Sequence, residues 1–180
     1  MNILVLAAAL TPLFPIAVGT ECTYSLEAPS LKETLIQRVE SAVQSEYGHE
    51  LKISSTAELG GKVVLGEERL LVTPDSVFRL SGSMGFYQPS LCIFAERDWS
   101  WSGAVGEASN ARANGRALSE TTLHLPAGRF VARASEVSVQ FGATYTTSRY
   151  WLSKGLGWVR IEHDLPGGIL VAELKKYKAM

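Results

Sequence analysis

SLKETLIQRVESAVQSEY, residues Ser30 to Tyr47, is the stretch whose reading decides the fold of this chain. Ser30 stands as a helix N-cap with Glu33 three residues on. That is a capping box, in which the two side chains satisfy two orphan backbone donors. Leu31, Leu35, Ile36, Val39, Ala42 and Val43 then recur at helical spacing, and Gly48 is a natural stop. The spacing predicts a helix over 31–47 with one apolar face, which has to pack on something, most simply a sheet. Its polar face carries Lys32, Glu33, Gln37, Arg38, Glu40 and Gln44, mixed in sign, as suits a core-facing helix rather than one lying on a membrane.

Beyond Gly48 the pattern changes to short apolar or alternating runs at Glu50–Ser54, Lys62–Leu65, Arg69–Thr73 and Val77–Leu80. Turn chemistry separates them at Gly60-Gly61, Gly66-Glu67 and Pro74-Asp75, because Gly admits positive φ and Pro presets the first turn position. More runs follow at Leu91–Ala95, Trp99–Val105, Arg116–His124, Arg129–Val139, Thr144–Leu152, Gly157–Glu162 and Ile169–Lys176. Asn114-Gly115 is a strong hairpin signal, and Pro126-Ala127-Gly128 and Pro166-Gly167-Gly168 mark two further turns. About ten strands and one helix predict an α+β domain, a long curved antiparallel sheet (a half-barrel) packed on the N-terminal amphipathic helix.

The region before Ser30 sets the compartment. Ile3 to Val18 is apolar apart from Thr11 and two prolines, and Ala17 and Gly19 place small residues at the −3 and −1 positions of a signal-peptidase site. The expected organisation is a signal peptide over 1–19 and one domain over 20–180, periplasmic or secreted. Against this, no Lys or Arg precedes the apolar run, and the rival is an uncleaved anchor. Glu21 before Cys22 disfavours lipidation, which needs a small residue there. Cys22 and Cys92 are the only cysteines. In an oxidising compartment they can pair, stabilising by about 4 kcal/mol in the chain-entropy account, or they are two separate buried thiols.

A net charge of −1, from 17 basic and 18 acidic residues, gives no footprint for nucleic acid and no polybasic face for anionic lipid. His49, His124 and His163 are isolated and form no zinc-ligand spacing, and no cofactor motif is present. Gly82-Ser83-Met84-Gly85 is not a nucleophile elbow. Glu67-Glu68 are adjacent, so on a strand they face opposite ways and cannot share acid–base work. The expectation is therefore a protein that is not an enzyme. Trp99 and Trp101, two apart, project from one strand face, and Trp151 and Trp158 flank the Lys154-Gly155-Leu156-Gly157 turn. These four indoles are candidate ligand-binding residues, with core packing as the plainer alternative.

Two stretches carry a family resemblance. Leu65-Gly66-Glu67-Glu68-Arg69-Leu70-Leu71-Val72-Thr73-Pro74-Asp75-Ser76-Val77 resembles a strand–turn–strand of envelope proteins related to the lipoprotein-carrier half-barrels of the LolA/LolB type. From Phe86 to Tyr177 the chain resembles a C-terminal pattern of exported bacterial proteins. Asp98, Trp99 and Trp101 open that pattern, Pro126-Ala127-Gly128-Arg129-Phe130 and Tyr150-Trp151 with Gly155, Gly157 and Val159 follow, and Leu174 and Tyr177 close it. The export signal, the helix-plus-meander pattern and the paired tryptophans lead to the expectation of a half-barrel binding a lipid, a lipoprotein tail or another apolar ligand in its concave sheet, or an envelope protein, without spanning the membrane after cleavage. The resemblance is in keeping with binding. The alternative is a structural or protein-interaction module with a fully packed interior; an exported hydrolase ranks third.

Overall fold

The computed structural model describes residues 12–82, 91–105 and 108–180. Every regular element among them is a strand. These are β1 (Glu21–Ala28), β2 (Leu31–Gln44), β3 (His49–Leu59), β4 (Lys62–Val72), β5 (Ser76–Gly82), β6 (Leu91–Ala95), β7 (Trp99–Val105), β8 (Ala108–Leu125), β9 (Gly128–Phe141), β10 (Thr144–Ser153), β11 (Gly157–Leu165) and β12 (Gly168–Lys178). They form one antiparallel sheet in the order β6-β5-β4-β3-β2-β1-β12-β11-β10-β9-β8-β7. Because β6 packs on β8 and β9, the sheet curls into a nearly closed barrel, and full closure is one way to bury the edges of a long sheet. The expected α+β half-barrel with an N-terminal helix is therefore corrected to an all-β barrel.

The helix expected over 31–47 is strand β2, bonded to β1 on one side and β3 on the other. Its helical spacing has a local cause. The register with β3 shifts between Val39 and Ser41, and a bulge swaps the face on which later residues point. Leu35, Val39 and Ala42 consequently all face inward despite spacings of four and three. Ile36 and Val43, on the supposed apolar face, lie outward and are 39 % and 61 % exposed. Two flanking ladders outweigh the local preference for helix.

Two predicted turns are also strand. Gly66-Glu67 lies within β4 opposite Ser54 and Ser55. Asn114-Gly115 lies in the middle of β8, with Gly115 opposite Trp99. A Cβ on Gly115 would fall 1.9 Å from Trp99 Nε1, so this glycine makes room for an indole rather than for a turn. The breaks at Gly60-Gly61, Pro74-Asp75, Pro126-Ala127 and Pro166-Gly167 fall where the turn chemistry places them. Gly82-Ser83-Met84-Gly85 runs from the end of β5 into residues outside those described.

Side chains of alternating parity fill the barrel: Tyr24, Leu51, Ile53, Leu70, Val77, Phe94, Val137, Tyr150, Leu152, Trp158 and Leu174 belong to one buried cluster. The opposite parity carries charge. Arg116, Glu136, Arg149, Glu162, Arg160 and Glu173 form a continuous chain of ion pairs across five consecutive strands, β8 to β12. Lys52–Glu67 and Arg69–Glu50 do the same on β3 and β4. Cys22 in β1 and Cys92 in β6 are both free thiols, separated by four strands, so the expected disulfide is not formed. Burial pushes each thiol up to about 11, which makes both inert as nucleophiles.

Candidate functional site

Polar groups enter the interior at one layer. Arg79 stands on β5 two residues after the fully buried Val77, so strand alternation carries it inward, and Glu68 on β4 is carried inward beside Leu70. Arg79 Nε donates to Glu68 Oε2 at 3.2 Å, and Gln37 Nε2 donates to Glu68 Oε1 at 3.4 Å. Both side chains are half-buried, so each still reaches some water, but losing one partner would leave the other charge poorly solvated. Tyr24 OH donates to the Trp158 carbonyl at 3.1 Å, and burial raises its pKa well above the usual phenol value.

The same layer holds a Ser–His contact. Ser148 and His163 are cross-strand partners on β10 and β11, with Ser148 Oγ 2.7 Å from His163 Nδ1. The Tyr150 ring meets the imidazole edge-on at 5.8 Å. Burial and the Arg79 guanidinium together lower His163 to about 4. A serine nucleophile needs a carboxylate orienting its histidine and stabilising the imidazolium that forms. Here the Arg79 cation acts on the ring more strongly than the Asp164 carboxylate, which lies on the other face of the strand, and the pair ties two strands together.

The second place of interest is one end of the barrel. The turn after β2, the turn after β4 and the 154–156 turn all lie there, together with the tip of the β8–β9 hairpin. That tip bends at a register shift between Leu118 and Thr121 and reaches β12, where Ala127 N–H donates to the Leu174 carbonyl at 3.1 Å. Residues 12–20 complete the closure. Gly155 N–H donates to the Pro12 carbonyl at 2.8 Å, Gly19 N–H to the Val39 carbonyl at 2.8 Å, and Val39 N–H back to Thr20 at 3.0 Å.

Between these anchors Leu13 and Phe14 are driven into the core, 1 % and 4 % exposed. The Phe14 ring meets Trp158 edge-on at 4.8 Å, while Tyr150 and Phe94 flank the same indole at 5.1 and 6.2 Å. Gly157 has φ +83°, and a Cβ there would come within 2.9 Å of Phe14 Cδ1. This glycine thus serves both the tight turn and the seat of the phenyl ring.

Beside the seat, where β6 passes β8 and β9, a cleft of about 360 Å³ is floored by Leu13, Phe94, Val131 and Leu152. Its rim is charged: Arg133 lies 2.7 Å from Glu96 and 3.6 Å from Glu120, and Lys154 lies 3.5 Å from Glu96. Two carboxylates against two cations make a rim of no net charge, with donors and acceptors alternating over an apolar floor.

The four candidate tryptophans do not form one cluster. Trp158 is core, 1 % exposed. Trp99 and Trp101 share the inward face of β7, as their spacing requires, and rest on Gly115 and Gly103. Trp151 points outward, with the Arg160 guanidinium 5.5 Å from its ring centre. His49 and His124 lie on β3 and β8, apart from His163. Glu68 stands out in the sequence only as half of the Glu67-Glu68 pair, and Arg79, Leu13 and Phe14 carry no motif. A charge at the inward parity of an apolar strand was the available signal for Arg79; Leu13 and Phe14 were absorbed into a leader.

Two solved structures share this arrangement of strands. One is described as a "putative lipoprotein" from Parabacteroides distasonis: TM-score 0.61 at 14 % identity, over 93 % of this chain and 99 % of that one. The other is a "putative exported protein with YmcC-like fold" from Bacteroides fragilis: TM-score 0.58 at 16 % identity, over 94 % and 100 %. The fold is of the YmcC-like kind. No protein-family model and no curated protein sequence matches the chain. The LolA/LolB likeness therefore rests on the sequence motifs alone, and the helix-packed half-barrel it implied is not the architecture found.

Proposed function

We propose that this chain is an exported, non-catalytic barrel that acts by binding a partner at its surface. The observation that carries this reading is the filled interior. Trp158, Tyr24, Phe94, Leu51, Leu70 and Leu152 are all at most 2 % exposed, and the layer beyond them is occupied by the Arg79–Glu68 pair and the Ser148–His163 contact. A carrier of acyl chains needs a mostly apolar cavity of several hundred cubic ångströms. Among the described residues side chains fill the barrel interior, and the cleft of about 360 Å³ at its end is rimmed by Glu96, Glu120, Arg133 and Lys154. Of the two readings of the concave sheet, lipid binding and a packed module, the second is favoured.

Export is supported by the Ala17-x-Gly19 exit and by the descriptions of the two structural neighbours. The outward charge ladder argues against a lipid-facing wall, since a membrane barrel shows an apolar band outside and polar groups within. The test is to isolate the protein from the cell envelope, sequence its N-terminus and extract it with organic solvent. A chain beginning at Thr20 that releases no lipid at one per chain supports the proposal. Unprocessed cytoplasmic protein refutes export, and one bound lipid per chain refutes the packed module.

A further inference from the structure

We propose that the end of the barrel filled by Pro12–Phe14 in the unprocessed chain is a peptide-binding socket in the processed protein, and that it takes a bent apolar segment of a partner polypeptide. This rests on the export reading above. Cleavage after Gly19 removes Leu13 and Phe14, yet every group that holds them belongs to strands and turns that stay. The ring seat remains, made by Trp158, Phe94 and the bare Cα of Gly157, and so does the Leu13 site over Leu152 and Phe94. Emptied, it exposes a contiguous apolar surface next to the charged cleft, the kind of patch that marks an interaction site on a soluble protein.

The chemistry of the occupant follows from what the socket now holds. Two adjacent bulky apolar side chains fill it. Main-chain bonds fix their register, from Gly155 N–H to the Pro12 carbonyl and between Gly19 and Val39. A polypeptide bent at two adjacent apolar residues supplies both features, whereas an acyl chain supplies the apolar contact without the carbonyl and amide. Arg133, Lys154, Glu96 and Glu120 offer donors and acceptors for the backbone of an incoming segment where it leaves the seat. In the unprocessed chain the leader is a tethered competitor, present at a high effective concentration, so the socket stays shut until cleavage.

The probe is the synthetic peptide of residues 11–19, added to the processed chain purified from the envelope and followed by calorimetry and tryptophan emission. The expected result is saturable micromolar binding, weakened at least tenfold by Phe14→Ala in the peptide, with no binding to the unprocessed chain. Phe14→Ala in the unprocessed chain, made without export, tests the socket independently of processing: it should gain binding of the wild-type peptide. The proposal is overturned if the folded processed chain binds no peptide, or if Phe14→Ala folds and gains nothing. It also fails if a fatty acid binds the processed chain and the peptide does not displace it. A processed chain that binds nothing leaves export standing, while a chain found only unprocessed removes both.

Discussion

His163 shows how one buried residue couples the barrel to pH. Its folded-state pKa, lowered from 6.5 to about 4 by burial and by Arg79, lies below that of the unfolded chain. Between these values the unfolded state binds the extra proton, so stability falls as pH drops from about 6.5 to 4. A shift of this size corresponds to at most about 3 kcal/mol, and with the ring only partly shielded from water about 2 kcal/mol is the working figure. Urea midpoints compared at pH 7.5 and pH 4.5 should show His163→Gln losing less stability than the wild-type chain. An equal loss in both would remove His163 as the source.

Gly115 is the second residue whose environment fixes its identity. With a Cβ falling 1.9 Å from Trp99 Nε1, Gly115→Ala has to move a half-buried indole packed against the core and should cost about 2 kcal/mol. Trp99→Ala combined with it should cost much less than the sum of the two single changes, because the clash is gone. Thermal melts of the four proteins decide the matter, and simple additivity would mean that the close approach is not the cause.

At the scale of elements, β2 separates strand from helix experimentally. In a helix, Val39 and Val43 would share one buried face. In the strand, Val39 is 4 % exposed while Val43 is 61 % exposed opposite Glu50. Val39→Lys should therefore cost more than about 3 kcal/mol, and Val43→Lys should stay within about 0.5 kcal/mol. Similar losses at the two positions would favour the helix. The cysteines test the strand order in the same way: with β1 and β6 four strands apart, the chain unfolded without reductant should present two titratable thiols, and a count of zero would contradict that arrangement.

These elements also show what was legible in the sequence. Period-two alternation and turn chemistry located the strands from β5 onward, since half-buried strands and Pro/Gly turns write themselves locally. The β2 bulge did not, because a single inserted residue turns alternation into spacings of three and four, which imitate a helix. Asn114-Gly115 misled for a related reason, as a glycine that yields space to a distant indole looks the same as one that turns the chain. At the candidate site, the shared face of Trp99 and Trp101 was legible from their spacing. The Phe14–Trp158 seat joins positions far apart in the chain, and no local pattern announces it.

For the whole molecule, the interior is a core crossed by one paired polar layer, the outer wall is a ladder of ion pairs, and one end is closed by the chain's own N-terminal segment. A filled barrel leaves its surfaces and its closed end as the places where it can act on something else. The most direct measurement is the hydrogen exchange of the Trp158 indole N–H, followed by NMR in the unprocessed chain, in the processed chain and in the processed chain with the peptide of residues 11–19. Slow exchange in the first, fast exchange in the second and recovered protection in the third is the expected result. Equal protection in all three, with the processed chain shown to begin at Thr20, would contradict it, because the socket would then be sealed without Leu13 and Phe14.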